Sequence, residues 1–167
     1  MSITNNLDLI KKSIPSNVSL IAVSKTKPNT DILSAYKIGH RIFGENKVQE
    51  LVKKKEELPN DIHWHMIGHL QTNKVKHIAP FVSLIHAVDS IKLIQEINKR
   101  AEQNKRIIDC LLQIHIATES TKFGLSEKEA NEILLRKEEY KNVKDTMTAS
   151  QTIVNRIDFR RQFNGCR

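Results

Sequence analysis

The sequence predicts an α/β protein built on a parallel sheet, of the (β/α)8 barrel type, and three observations predict it. Short runs rich in Ile, Val and Leu alternate with stretches of helical spacing, the pattern of strands joined by crossover helices. The five glycines stand at 39, 44, 68, 124 and 165, too far apart for the Gly-x-Gly-x-x-Gly turn of a dinucleotide fold or for a P-loop. The chemically capable side chains fall at the C-terminal ends of the apolar runs, where a barrel carries its functional groups. They are Lys25, Glu45 and Asn46, His69, Asp89 and the loop from Glu119 to Gly124.

The apolar runs are 18–24, 41–44, 62–68, 81–88 and 110–117, and each is a predicted strand. Between the first two, Ile32, Leu33, Tyr36 and Lys37 form a helix face that stops at Gly39. Val48, Leu51 and Val52 mark a second helix ahead of Pro59. Ser90 is placed to cap a helix that carries Ile91, Ile94, Ile97 and Ala101 on one side. Ser126 and Glu129 have capping-box spacing before Ala130, Ile133 and Leu134. These units amount to about five βα repeats in one domain.

Composition narrows the function classes. The formal charge is +8, from 27 basic and 19 acidic residues, which suits a phosphate-bearing ligand or nucleic acid. The basic residues are scattered, however, and aromatic residues make up 5% of the chain, leaving little for base stacking. The one basic run, Lys53-Lys54-Lys55 followed by Glu56-Glu57, reads as a solvated helix face. No nucleic-acid partner is expected. Cys110 reads as a small core residue, and Cys166 lies one residue from the end. With no metal-ligand spacing between them, a reducing cytoplasmic setting is expected. No apolar stretch reaches membrane-spanning length and the N-terminus has no leader pattern.

Lys25 ends the run Val18 to Ser24 and opens Lys-Thr-Lys-Pro28. A lysine leaving a buried strand can face a cleft, where desolvation frees its lone pair for carbonyl chemistry. Taken alone, the same stretch better describes an ordinary lysine that snorkels to the strand rim.

Motifs along the chain carry the argument further. They are Ala22-Val-Ser-Lys-Thr-Lys-Pro28, Phe43-Gly-Glu-Asn46 with Val48-Gln49-Glu50, and Trp64-His-Met-Ile-Gly-His-Leu-Gln-Thr-Asn-Lys74. His86-Ala-Val-Asp-Ser90 and Gln113 to Gly124, with its Glu-x-x-Lys-x-Gly ending, complete the set. In this order and spacing, the chain resembles the pyridoxal phosphate homeostasis proteins, a barrel family similar to the N-terminal domain of alanine racemase. The resemblance implies pyridoxal phosphate as cofactor, held as a Schiff base on Lys25, with Asn46 beside it. Asn46 has a second reading, as the cap of the following helix. Gly68 and the Leu70-Gln71 pair match a turn after the third strand. Lys122 lies in a family loop without an assigned role, and His115 stands where the family has asparagine. The implied role is that of a monomeric cofactor carrier and not an enzyme.

The resemblance covers residues 1–144, expected to be a partial barrel, and leaves 145–167 as a divergent tail. After Lys144 the family would supply a sixth strand, then a Ser- and Gly-containing seventh-strand loop, then an Arg- and Gly-containing eighth. Residues 145–167 show neither a good strand pattern nor those motifs. Phosphate in such barrels is held by backbone amides after strands seven and eight. The expectation is therefore a truncated or frame-shifted chain with impaired cofactor binding, whose open sheet edges favour self-association.

Two other readings stay open. His63, His65 and His69 share one face if 62–69 is a continuous strand, a start for the zinc site of a metal-dependent hydrolase. A fragment without ligand is the other.

Overall fold

The structure, a computed structural model, describes residues 3–114 and 124–145. The element order is α1 (Ile3–Ser13), β1 (Ala22–Val23), α2 (Asn29–Lys37), β2 (Ile42–Glu45), α3 (Val48–Glu57), β3 (His63–Met66), α4 (Val75–Ile78), β4 (Leu84–Val88), α5 (Ile91–Gln103), β5 (Ile108–Leu112), α6 (Glu127–Leu135) and β6 (Val143–Asp145). The six strands lie in one sheet in the order β1-β2-β3-β4-β5-β6, each parallel to the next. Sequential parallel pairing with intervening helices is the winding of a βα barrel.

Each predicted run overlaps a strand; β2 is as long as its run and displaced by one residue, and the other strands are shorter than the apolar stretches that announced them. In 18–24 only Ala22 and Val23 are ladder residues, and in 110–117 the strand shifts back to Ile108–Leu112. A sixth strand, Val143–Asp145, joins β5 through Ile108↔Val143 and Cys110↔Asp145. It escaped the sequence pattern because three residues with one apolar member show no periodicity. The helix α1 was also unannounced; it buries Leu7 and leaves Leu9 exposed.

Register separates the two faces of the sheet, since paired residues on neighbouring strands share a side. Ala22, Phe43, Trp64, Met66, Ile85 and Cys110 lie on the helix-covered side and are buried. They pack with Ile32, Ala35, Leu51, Ile78, Leu93 and Ile97 from the helices into one core. The opposite side carries Val23, Gly44, His65, Leu84, Asp109 and Lys144. It grades from buried Val23 to exposed Lys144. A register shift between Ile85 and Val88 bends β4 just before the functional end of the sheet.

Helix caps follow the sequence. The Ser90 hydroxyl accepts from the Leu93 N–H, and α5 buries Leu93, Ile94, Ile97 and Ala101. Ser126 and Glu129 form a reciprocal capping box at the start of α6. Among the described residues, no helix is long and apolar enough to cross a membrane.

Candidate functional site

Lys25 is half-buried, two residues past the end of β1. The chain around it is held by a polar network. The Ser24 hydroxyl donates to Glu45 Oε1 at 2.6 Å, and its N–H donates to the Gly44 carbonyl at 3.0 Å. Lys54 Nζ donates to the Ser24 carbonyl at 2.8 Å, to Glu45 Oε1 at 2.8 Å and to Glu50 Oε1 at 2.7 Å. The Thr26 N–H donates to Glu50 Oε1 at 2.7 Å.

Glu45 is fully buried at the end of β2. Burial pushes its carboxyl above the ordinary range, against the downward pull of the Lys54 and Ser24 hydrogen bonds. For Glu50, burial also acts upward, but hydrogen bonds from Lys54 and the Thr26 N–H outweigh it and hold the carboxyl low.

This network corrects the reading of 53–55 as a solvated face. Lys54 is 5% exposed, and its ammonium is turned into the protein. A run of three lysines hides the distinction because only one of three successive helix positions points inward. The available signal was Glu50 one turn before Lys54, an i,i+4 pair on the same helix.

Asn46 follows β2 directly. Its Oδ1 is buried without a hydrogen-bond partner. It does not cap α3: the cap position is Lys47, with no side-chain hydrogen bond there. Across from it sits Gly68, where a Cβ would lie 2.6 Å from the Asn46 carbonyl oxygen and 2.9 Å from its Cα. Only glycine permits this approach of two strand ends. Leu70 is a core residue, and the Gln71 carbonyl accepts from the Lys74 N–H to close a 3₁₀ turn. These residues shape the turn.

The three histidines do not converge. β3 ends at Met66, so His69 lies in the following loop and not on the strand face. Its Nδ1 pairs with Asp89 Oδ2 at 2.8 Å. His63 is exposed at the start of β3, whereas His65 is buried, with Nδ1 3.1 Å from His86 Nε2. Burial, reinforced by the neighbouring His86 and His63, lowers His65 to about 3, and burial lowers His86 to about 4. Both rings are neutral at neutral pH and share one hydrogen bond. Among the described residues, no group of three His, Cys, Asp or Glu side chains could hold a metal ion. The metal-hydrolase reading is therefore set aside. His115 and Lys122 lie outside the described residues.

The arrangement thus places, at one end of a parallel sheet, a lysine with a fixed main chain, an unsatisfied amide oxygen and a glycine that lets two strand ends meet. A buried orphan acceptor costs about 1–3 kcal/mol, a cost the chain carries at this sheet end. The residue types present fit pyridoxal phosphate: a lysine amine suits its aldehyde, and an amide suits a polar group on its ring.

Comparison with known proteins identifies the family. The family described as "Alanine racemase, N-terminal domain" matches residues 1–154. The chain is 40% identical over 151 residues to the pyridoxal phosphate homeostasis protein of Aquifex aeolicus, covering 89% of this chain and 66% of that one. The protein of the same name from Schizosaccharomyces pombe is 35% identical, with 85% and 64% covered. The chain therefore spans just under two-thirds of these relatives' length. Among solved structures, it is similar to PipY of Synechococcus elongatus without pyridoxal phosphate, at 33% identity and a TM-score of 0.81 over 86% of this chain and 68% of that one. PipY with pyridoxal phosphate bound gives 31% identity and a TM-score of 0.78, over 90% and 73%. Alanine racemase from Bartonella henselae, at 15% identity and a TM-score of 0.68 over 86% of this chain and 40% of that one, shares the fold.

Proposed function

Because the chain belongs to the alanine racemase N-terminal domain family, we propose that it binds pyridoxal phosphate as a carrier in cofactor homeostasis, with Lys25 as the attachment residue and Asn46 beside it. The observation that carries this reading is the juxtaposition at the C-terminal sheet end. There Lys25 follows β1, the unpartnered Asn46 oxygen follows β2, and Gly68 lets the chain after β3 pack directly against Asn46. The names of the relatives and the bound cofactor of PipY support it.

When bound, pyridoxal phosphate supplies an aldehyde carbon open to attack by an amine. The protein's part is to present the Lys25 amine with Asn46 beside it, at a sheet end that Gly68 lets pack tightly. Reversible attachment at one lysine is a carrier's chemistry; racemisation would also need a second acid or base opposite it.

Mixing the purified chain with pyridoxal phosphate and recording visible absorbance tests the reading, with Lys25→Ala alongside. A saturable band in the native chain that is absent from the variant is the expected result. No band, or equal bands from surface lysines, would reject it and leave a chain without ligand.

A further inference from the structure

Lys25 is bracketed by two hydrogen bonds that both reach a single helix. The carbonyl of the residue before it, Ser24, accepts from Lys54 Nζ at 2.8 Å, and the N–H of the residue after it, Thr26, donates to Glu50 Oε1 at 2.7 Å. Glu50 and Lys54 are themselves bonded at 2.7 Å, one turn apart on α3. The bracket is thus one unit, anchored through Glu45 to the end of β2.

Two features of this unit are not needed for the fold. An i,i+4 Glu–Lys pair supports its own helix without reaching a neighbouring loop. A buried ion pair is, moreover, no more stabilising than well-packed apolar groups of similar volume. Thr26, a β-branched residue, also has φ 61°, a left-handed conformation that costs roughly 1–2 kcal/mol. Such a conformation persists where its surroundings over-determine it, and the Glu50 carboxylate on the Thr26 N–H does so here. Strain and buried charge therefore meet at the two peptide groups flanking the lysine.

We infer that Glu50 and Lys54 are positioning residues for Lys25, fixing the main chain on both sides so that its amine meets a carbonyl-bearing ligand in one orientation. The inference rests on the reading of Lys25 as the attachment residue. Neither residue touches the ligand, and each acts through the backbone of 24–26.

The test uses the full chain exposed to pyridoxal phosphate and then to borohydride. Amine and aldehyde join with loss of one water, and the added hydride makes the link permanent, so that peptide mass spectrometry gives each lysine's share. In the native chain Lys25 carries most of the label. Glu50→Ala is expected to lower the Lys25 share about ten-fold relative to exposed Lys53, as loss of a charge-assisted hydrogen bond implies. Glu50→Gln, whose amide oxygen still accepts from Thr26, restores most of it. A merely structural role would lower the melting temperature of both variants without this split in labelling. Where Glu50→Ala fails to fold, Lys54→Met removes the other half of the bracket and is read in the same way. A native Lys25 share in Glu50→Ala, or in Lys54→Met, overturns the inference while leaving the attachment site intact. No preference for Lys25 in the native chain rejects the attachment site, and the inference falls with it.

Discussion

At the scale of single residues, the site is governed by what lies within a bond length or two of Lys25 and Asn46. Gly68 is the clearest case. A methyl group there meets the Asn46 backbone at 2.6–2.9 Å, and backbone cannot swing aside as a flexible side chain can. Gly68→Ala is expected to destabilise the chain by about 2 kcal/mol, within the range for overpacking, and to displace Asn46 from the sheet end. Chemical denaturation reads the first effect and pyridoxal phosphate absorbance the second. A variant with native stability and native absorbance would show that the two strand ends separate freely. Gly44 differs in kind, because a Cβ there meets the Ile67 and Ile21 side chains at 3.1–3.2 Å and no backbone atom so closely.

At the scale of elements, caps and amphipathic faces set where each helix begins, and so where each strand end is aimed. Ser90 ends the β4 loop and caps α5, the longest helix, through the Leu93 N–H at 3.3 Å. Ser90→Ala is expected to cost about 1 kcal/mol, or roughly 3 °C in melting temperature for a chain of this size. An unchanged melting curve would mean that burial of Ile94, Ile97 and Ala101 fixes the start of α5 without the cap. α3 illustrates a different principle. Its apolar residues Val48 and Leu51 lie in the core, but Lys54 continues the same buried stripe as a charged residue. The helix therefore docks partly through polar bonds to the β1 and β2 ends, and it is those bonds that reach the site.

At the scale of the whole molecule, the pH dependence of stability reflects the uncovered side of the sheet. His65 and His86 titrate at about 3 and about 4 in the folded chain, below the value near 6.5 expected when unfolded. Between these values the unfolded chain binds protons that the folded chain refuses. The stabilisation is therefore complete above about pH 6.5 and is lost as the pH falls, by up to about 1.4 kcal/mol per unit for each ring. His40, lowered by burial, acts in the same direction. Glu45, held above its ordinary value, opposes the trend in the carboxylate range. Denaturation midpoints at pH 7.5 and pH 5 should differ clearly in the native chain and much less in a His65→Gln/His86→Gln double variant. Equal slopes in the two proteins would remove the dyad from the account.

The sequence by itself determined the parallel α/β class, the order of the first five strands, the caps at Ser90 and Ser126, and the family, because all of these are written in local periodicity and short motifs. It also marked Lys25 and Asn46 as residues to watch, through the motifs that surround them. Tertiary structure alone decided what those motifs do to one another. Whether 62–69 formed one strand depended on where β3 ceased to pair, and pairing is a property of two strands at once. Ending β3 at Met66 sent His69 to Asp89, left His65 with His86, and dissolved the expected metal face. Likewise, the i,i+4 spacing from Glu50 marks Lys54 as a pairing partner but does not say that the pair is buried. Only the packing of α3 against the ends of β1 and β2 put one of three identical side chains inside, where its charge had to find Glu45, Glu50 and the carbonyl beside Lys25.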